Sequence, residues 1–392
     1  MKPIKITHIV YNLQAGGLEN GVVNICNRLD PARFESSICV FSAGGELEER
    51  LDRDRVELFT VKRHFGNDPS VPLRIARHLR RRGTDIVHSH NWVTLVEGAA
   101  ARLLARTPVL VHGEHGYPVE DRPRNVRVQR FVWNKVVTQL LSVSQELAGT
   151  LADLTDLAED RFEVIPNGVD TERFRPAPEQ RAALRAELGL PTDGLMIGMV
   201  ARFDPVKNHS GAIRALARLR QRGLDVHLAF AGTGERQSLL AEVAREEQVA
   251  DRVHFLGYRA DVNCVYQALD VFLLNSHREG MSNTVIEAMS CGLPVVATRV
   301  GANPECLVDE ESGLLVPPDD SATLAERLAR LVDDELRARF ATAARRRIEE
   351  EFSIDRMVER YAALYERLCP RKVLAAAEPS GREPQAMENV AT

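Results

Sequence analysis

The chain has 392 residues, 44% hydrophobic, 27% charged and 5% aromatic, and its 51 basic and 56 acidic side chains give a net charge of −5. This composition excludes a wholly disordered chain, a collagen-like fibre and a disulfide scaffold, and the charge argues against a nucleic-acid binder relying on a basic whole. The length exceeds one core of about 100–200 residues, so two domains are expected.

In chain order, β-rich runs predict strands over residues 4–10, 36–41, 56–61, 85–90, 108–112, 139–142 and 162–165. Patterns of period near 3.6 predict helices between them, among them 18–29, 73–81, 94–105 and 126–136. A Pro-punctuated linker at 175–178 follows. It leads to a helix over 179–188 that stops at Gly189 and Pro191, as a helix C-terminus does. A second series then predicts strands over 196–201, 226–231, 253–255, 271–274, 294–298 and 314–316, with helices such as 211–220, 236–246 and 283–291.

Such alternation is the signature of parallel sheets built from βαβ units. The expected class is α/β, with two Rossmann-like doubly wound domains over 1–178 and 179–352. A C-terminal helix within 353–370 is expected to pack back on the first domain, and 371–392 to form a disordered tail. Sheets of this type bind ligands at the carboxyl ends of their strands, so the cleft between the domains is the default site. The start of the chain reads as running straight into a strand rather than as a signal peptide. No uncharged apolar run approaches the roughly 18 residues of a membrane span.

The six cysteines are widely spaced, with no CxxC pair, which fits small buried residues in a reducing cytoplasm. Charge is uneven. Residues 1–178 carry 24 basic and 23 acidic side chains, and the remainder 27 and 33. Basic residues cluster over 62–82 (Lys62, Arg63, Arg74, Arg77, Arg80, Arg81, Arg82) and over 122–135. Either cluster is an ordinary solvated helix face or a surface leaning on anionic lipid or an anionic substrate. The location expected from these features is cytoplasmic, with peripheral contact to the inner face of the membrane.

The densest chemical signal is the stretch Ser276 to Glu287, which follows an apolar strand and opens a helix with Ser282 or Asn283 as cap. Gly280, Met281, Ser282, Asn283 and Thr284 surround a helix start, where open N–H groups and the dipole suit a diphosphate. Glu279 in the loop and Glu287 inside the helix set two carboxylates at different depths. Arg202 at the end of a strand and Lys207 in the loop beyond it are two cations placed to neutralise a leaving diphosphate. Asp204 between them is a candidate partner for either.

Gly16 and Gly17 open the first helix, where backbone can approach a ligand closely. They match neither a dinucleotide fingerprint nor a phosphate loop. His88, His90 and His115 sit near strand ends. No cysteine or carboxylate cluster completes a metal set around them, so contact with a substrate hydroxyl is the favoured role and no metal site is expected. Asn167-Gly168 reads as a turn with a structural explanation.

Together these stretches resemble the family-4 retaining glycosyltransferases, which have the GT-B architecture of two facing Rossmann-like domains. The resemblance runs from about residue 4 to 368. Its most specific part is Glu-x7-Glu, here Glu279 to Glu287, with the flanks Gly280-Met281-Ser282, Ala288-Met289-Ser290-Cys291-Gly292-Leu293-Pro294 and Gly301-Ala302-Asn303-Pro304-Glu305. Asn303 stands where the family carries a second glycine.

The resemblance implies that Arg202 and Lys207 hold the donor diphosphate, that Glu279 bonds the donor sugar and Glu287 the ribose. It also implies that His115 contacts the transferred sugar and that Gly16, Gly17, Asn283 and Thr284 lie near the diphosphate. The implied donor is a UDP- or GDP-sugar, with no metal or other cofactor. The implied acceptor is a saccharide or lipid-linked species, and nucleic acid is not among the partners. More narrowly, the Gln14–Asn20 and Gly113–Gly116 stretches look like sugar transferases of bacterial exopolysaccharide clusters of the exosortase-associated kind. The rival readings are a sugar-nucleotide epimerase or phosphorylase of the same fold, and a nucleotide-sugar-binding protein without transfer activity.

Overall fold

The computed structural model of the protein describes residues 2–63, 68–117 and 123–370. Seven parallel strands form the first sheet: β1 (Ile4–Val10), β2 (Phe34–Val40), β3 (Glu57–Thr60), β4 (Ile86–His90), β5 (Val109–Glu114), β6 (Gln139–Ser142) and β7 (Phe162–Val164), in the order β3-β2-β1-β4-β5-β6-β7. Six more form the second: β8 (Leu195–Val200), β9 (Val226–Ala231), β10 (Val253–Gly257), β11 (Val271–Leu274), β12 (Val295–Thr298) and β13 (Gly313–Val316), in the order β10-β9-β8-β11-β12-β13. Both are doubly wound, and in each the order reverses beside the first strand, where ligands bind in such sheets.

The strands are short apolar runs because helices cover both faces. Val271–Leu274 and Val295–Thr298 are buried at every position. Expected and observed elements agree in type, and the differences are at the ends. The second helix runs Ser70–Arg82 rather than 73–81. Pro72 lies in its first turn, where a missing N–H costs nothing, and Gly83 in left-handed conformation (φ 66°) stops it.

The helix Ile354–Leu368 belongs to the first lobe in space. Met357, Tyr361, Leu364 and Tyr365 pack with Ile4, Ile6, Ile25 and Phe34. The chain therefore crosses between lobes twice, near residue 170 and again near 353. The two crossings pair, with Val169 N donating to Phe352 O at 2.9 Å and Ile354 N to Val169 O at 2.8 Å. Arg345 ties the crossing to the second lobe by donating to Phe174 O at 2.9 Å and Ser290 O at 2.7 Å. Met1 and the segment 371–392, for which a tail is expected, lie outside the described residues, as does Arg122 of the second basic cluster.

The six cysteines are free, four of them buried. Most of the basic cluster over 62–82 is spent on neighbouring acids: Arg82 on Glu35 and Glu57, Arg81 on Glu57, Arg74 on Asp68 and Arg63 on Glu97. These ion pairs neutralise much of that cluster's charge.

Candidate functional site across the cleft

Just past β8, Asp204 caps a short turn, Pro205–Lys207, by accepting from Lys207 N at 3.2 Å. Its other carboxyl oxygen lies 3.3 Å from Arg202, so of the two cations Asp204 pairs with Arg202 alone and holds Lys207 only by its backbone. Asn208, in left-handed conformation, then caps the helix His209–Gln221 through Gly211 N. This double cap fixes the Lys207 backbone and sends its side chain to Glu279, Nζ to Oε1 2.6 Å. Ser276 donates to the same oxygen at 2.5 Å. Glu279 is thus nearly buried and ion-paired, whereas the Arg202 side chain is 85% exposed and held only by Asp204.

The loop carrying Glu279 is held from behind by Gly301. A Cβ there would lie 2.0 Å from Glu279 O, and its φ of 53° favours glycine. Asn303, at the position of a second family glycine, is the first residue of a short helix and has no such constraint. Its buried amide donates to Thr298 O at 2.9 Å.

Helix Asn283–Ser290 begins at Ser282, but no side chain caps it. The Ser282 hydroxyl pairs with Thr284 at 3.0 Å, and Asn283 Oδ1 accepts from Asn167 Nδ2 at 2.9 Å. An uncapped first turn is an opening for a ligand oxygen. The Asn167-Gly168 turn therefore does more than end a strand, because it steadies this helix start from the other lobe. Asn167 N also donates to Met281 Sδ.

The two lobes meet at glycines. A Cβ on Gly17 would lie 2.6 Å from Asn283 Nδ2, and one on Gly280 would lie 3.0 Å from His115 O. Gly16 stays on its own side, as the cap residue of the first helix. On the far side of Asn283, Glu287 lines a cavity of about 430 Å³ with Gly17, Asn20, Arg173, Tyr258 and Asn283. Burial pushes its carboxyl up to about 7, while the Tyr266 hydroxyl, donating at 2.8 Å, and the charge of Arg173 act to lower it. Lys207, Glu279, Arg202 and His115 do not line this cavity.

His115 lies at the cleft, its backbone N–H donating to Asn91 at 3.0 Å. The expectation that His88 and His90 meet a substrate hydroxyl fails. Residues two apart on a strand share a face, and here that face is buried, with the His88 ring against Tyr361 and Tyr365 of the final helix. His88 Nδ1 bonds the Tyr365 hydroxyl at 2.9 Å. The β1–β4 register sets His8 opposite His88. The histidine set is therefore larger than the sequence suggested. His8, His88 and His90 place one ring nitrogen each within 4.8 Å of one another, the one such group among the described residues. Strand pairing between residues 80 apart has no signature in the local sequence.

A family model described as glycosyl transferases group 1 matches residues 180–347, and one described as glycosyltransferase family 4 matches residues 15–173. D-inositol 3-phosphate glycosyltransferases of Saccharomonospora viridis and Salinispora arenicola are 35% and 34% identical over 285 and 309 residues. The matches cover 67% and 72% of this chain but 65% and 68% of those relatives, so the chain spans about two thirds of their length. The UDP-Gal:alpha-D-GlcNAc-diphosphoundecaprenol alpha-1,3-galactosyltransferase of Escherichia coli is 28% identical over 376 residues, 92% of this chain and 96% of its own. Among solved structures, Anabaena HepE in complex with UDP and glucose superposes with a TM-score of 0.79 at 24% identity, covering 93% of this chain and 100% of its own.

Proposed function

The chain belongs to the family-4, group-1 glycosyltransferases and has their GT-B fold, and from that membership we propose that it is a retaining enzyme moving a sugar from a UDP- or GDP-sugar to a saccharide or lipid-linked acceptor. The observation that carries this reading is the Lys207–Glu279 ion pair, poised beside an uncapped helix start. A donor diphosphate offers Lys207 a stronger partner. Its arrival frees the Glu279 carboxylate to accept from sugar hydroxyls, and the exposed Arg202 closes on the phosphates.

Breaking the sugar–phosphate bond builds negative charge on the diphosphate, which Lys207, Arg202 and the first turn of helix Asn283–Ser290 answer. These charges supply the stabilisation a metal gives elsewhere, so the proposed reaction is metal-independent. Glu287 bonds the ribose, and the exposed ring of Tyr258 offers a face to the base. The acceptor hydroxyl attacks on the face the diphosphate leaves. The name of the Escherichia coli relative supports a lipid-diphosphate-linked acceptor, and assembly of a bacterial exopolysaccharide or other glycan is the setting proposed.

Such an acceptor would bring the protein to a membrane as a peripheral visitor, and no helix among the described residues is long and apolar enough to cross one. The test is a panel of UDP- and GDP-sugars with detection of released nucleotide, run with and without EDTA. Release from at least one donor, unchanged by chelator, is expected. Binding of a donor with no release over many hours would favour a binding protein without transfer, and no binding by calorimetry would overturn the reading.

A further inference from the structure

Glu305 ends the 301–305 stretch of the second lobe, and its carboxylate reaches across the cleft. Helix Gln145–Thr155 of the first lobe has a cap of its own, Ser144, but that hydroxyl accepts only from Leu147 N, at 3.1 Å. The open N–H groups of Gln145 and Glu146 donate instead to the two carboxyl oxygens of Glu305, each at 3.0 Å. A carboxylate of one lobe thus completes a helix start of the other, where the helix dipole favours negative charge. Glu305 is itself anchored, because Arg347 donates to its backbone O and to Cys306 O, both at 2.8 Å.

That helix start is tied to the cleft by a second path. The Tyr117 hydroxyl donates to the Glu146 carboxylate, and the Arg278 guanidinium lies 5.3 Å from the centre of the Tyr117 ring. Tyr117 follows His115-Gly116, and Arg278 immediately precedes Glu279. Within the second lobe, Ala302 N donates to Gly280 O at 2.8 Å, which returns the path to the 301–305 stretch. The contacts therefore make a closed ring through both lobes: Glu305, Glu146, Tyr117, Arg278, Gly280 and Ala302. Where that ring crosses the cleft, the segments bearing His115 and Glu279 meet backbone to backbone, since a Cβ on Gly280 would lie 3.0 Å from His115 O. We propose that Glu305 is a positioning residue for the transfer: it touches no substrate, but it sets the angle between the lobes and so the placement of His115 against Glu279 around the donor sugar. Cutting the ring at Glu305 lets the lobes part at the sugar. The nucleoside end is spared, because Glu287 and Tyr258 both belong to the second lobe. The inference rests on the transferase reading above, and goes beyond it in naming a residue outside the donor site.

The test pairs kinetics with amide hydrogen exchange of the full chain. Glu305→Ala removes both acceptors, and Glu305→Gln keeps one. In the wild type the amides of Gln145 and Glu146 should be protected. In Glu305→Ala they should exchange freely, and exchange should also rise over residues 113–117, which Glu305 does not touch. With this, kcat should fall about tenfold, the size of losing a charge-assisted pair at a half-exposed helix start, while calorimetric affinity for UDP or GDP stays within about threefold. Glu305→Gln should recover part of that kcat. Tyr117→Phe cuts the same ring at its hydroxyl, so in a double-mutant cycle with Glu305→Ala the losses in kcat should fall short of additive.

Wild-type kcat in folded Glu305→Ala, or unchanged exchange over 113–117, would overturn the proposal and leave Glu305 a local helix cap. Fully additive losses with Tyr117→Phe would overturn it too, because the two residues would then act separately. If Glu305→Ala does not fold, Glu305→Gln carries the same comparisons. If the wild type turned over no nucleotide sugar, the transferase reading would fail instead, and the exchange arm would still decide whether Glu305 governs the 113–117 segment.

Discussion

Lys207 and Arg202 illustrate two ways of holding a cation ready. Lys207 is fixed by a double cap and stored against Glu279, whereas Arg202 is tethered only to Asp204 and stays in solvent. Replacing either with Ala should lower kcat by about 10²–10³-fold, the range for removing one charge stabiliser. The two differ in the resting protein. Arg202→Ala should leave thermal stability unchanged, because exposed pairs contribute little. Lys207→Ala strands a nearly buried carboxylate and should lower the melting temperature as well. Steady-state kinetics with a thermal melt separates them, and normal turnover in both variants would refute the diphosphate role.

Glu287 poses a different balance, since its burial disfavours charge. Its folded pKa of about 7 exceeds the ordinary 4.5, so folding carries a penalty that grows as pH rises from about 4.5 to 7 and persists above. Glu287→Gln keeps a partner for Tyr266 and removes that penalty. It should raise stability by a few kcal/mol at pH 8, change it little at pH 4, and weaken donor binding about tenfold through loss of the ribose contact. Denaturant melts at the two pH values, with calorimetry of donor binding, check both signs.

At the scale of elements, helix Pro123–Lys135 differs from the basic helix Ser70–Arg82. The latter's arginines are largely paired, but Pro123–Lys135 shows Arg124 and Arg127 beside Phe131, which is 63% exposed, and Val128. The neighbouring helix Asn91–Ala105 adds exposed Val93, Val96, Leu103 and Leu104. Apolar side chains among cations that have no acidic partner among the described residues suit the interface of an anionic membrane. The protein should sediment with anionic vesicles at low salt and lose most of that binding at high salt. Phe131→Ser should weaken it further, and no binding at low salt would leave this helix an ordinary surface.

For the whole molecule, the buried histidines make acid the vulnerable side. Burial lowers the pKa of His8 to about 3 and those of His115 and His209 to about 4, all from 6.5. Below 6.5 the unfolded chain binds protons that these native rings refuse. Their contribution is therefore intact above about pH 6.5 and lost as pH falls toward 4. At pH 5 each ring costs about 2 kcal/mol. The melting temperature should drop steeply between pH 6.5 and 5, and a flat profile in calorimetry would contradict this burial.

The α/β class, the strands of both sheets and the Glu279–Glu287 stretch were legible in the sequence, because periodicity and caps are local and short apolar runs survive as strands wherever helices cover them. Strand register and lobe contact were not, since they join residues far apart in the chain. Asn167 looked like a turn residue and proved to hold the start of helix Asn283–Ser290. His88 and His90 looked like substrate contacts, yet both are buried, His88 beneath the final helix, and His8 entered only through pairing of β1 with β4. Length, composition and charge determined that two ordinary folded domains exist. Only tertiary structure decided which side chains of one domain meet those of the other, because a cleft is made by surfaces that no local pattern encodes.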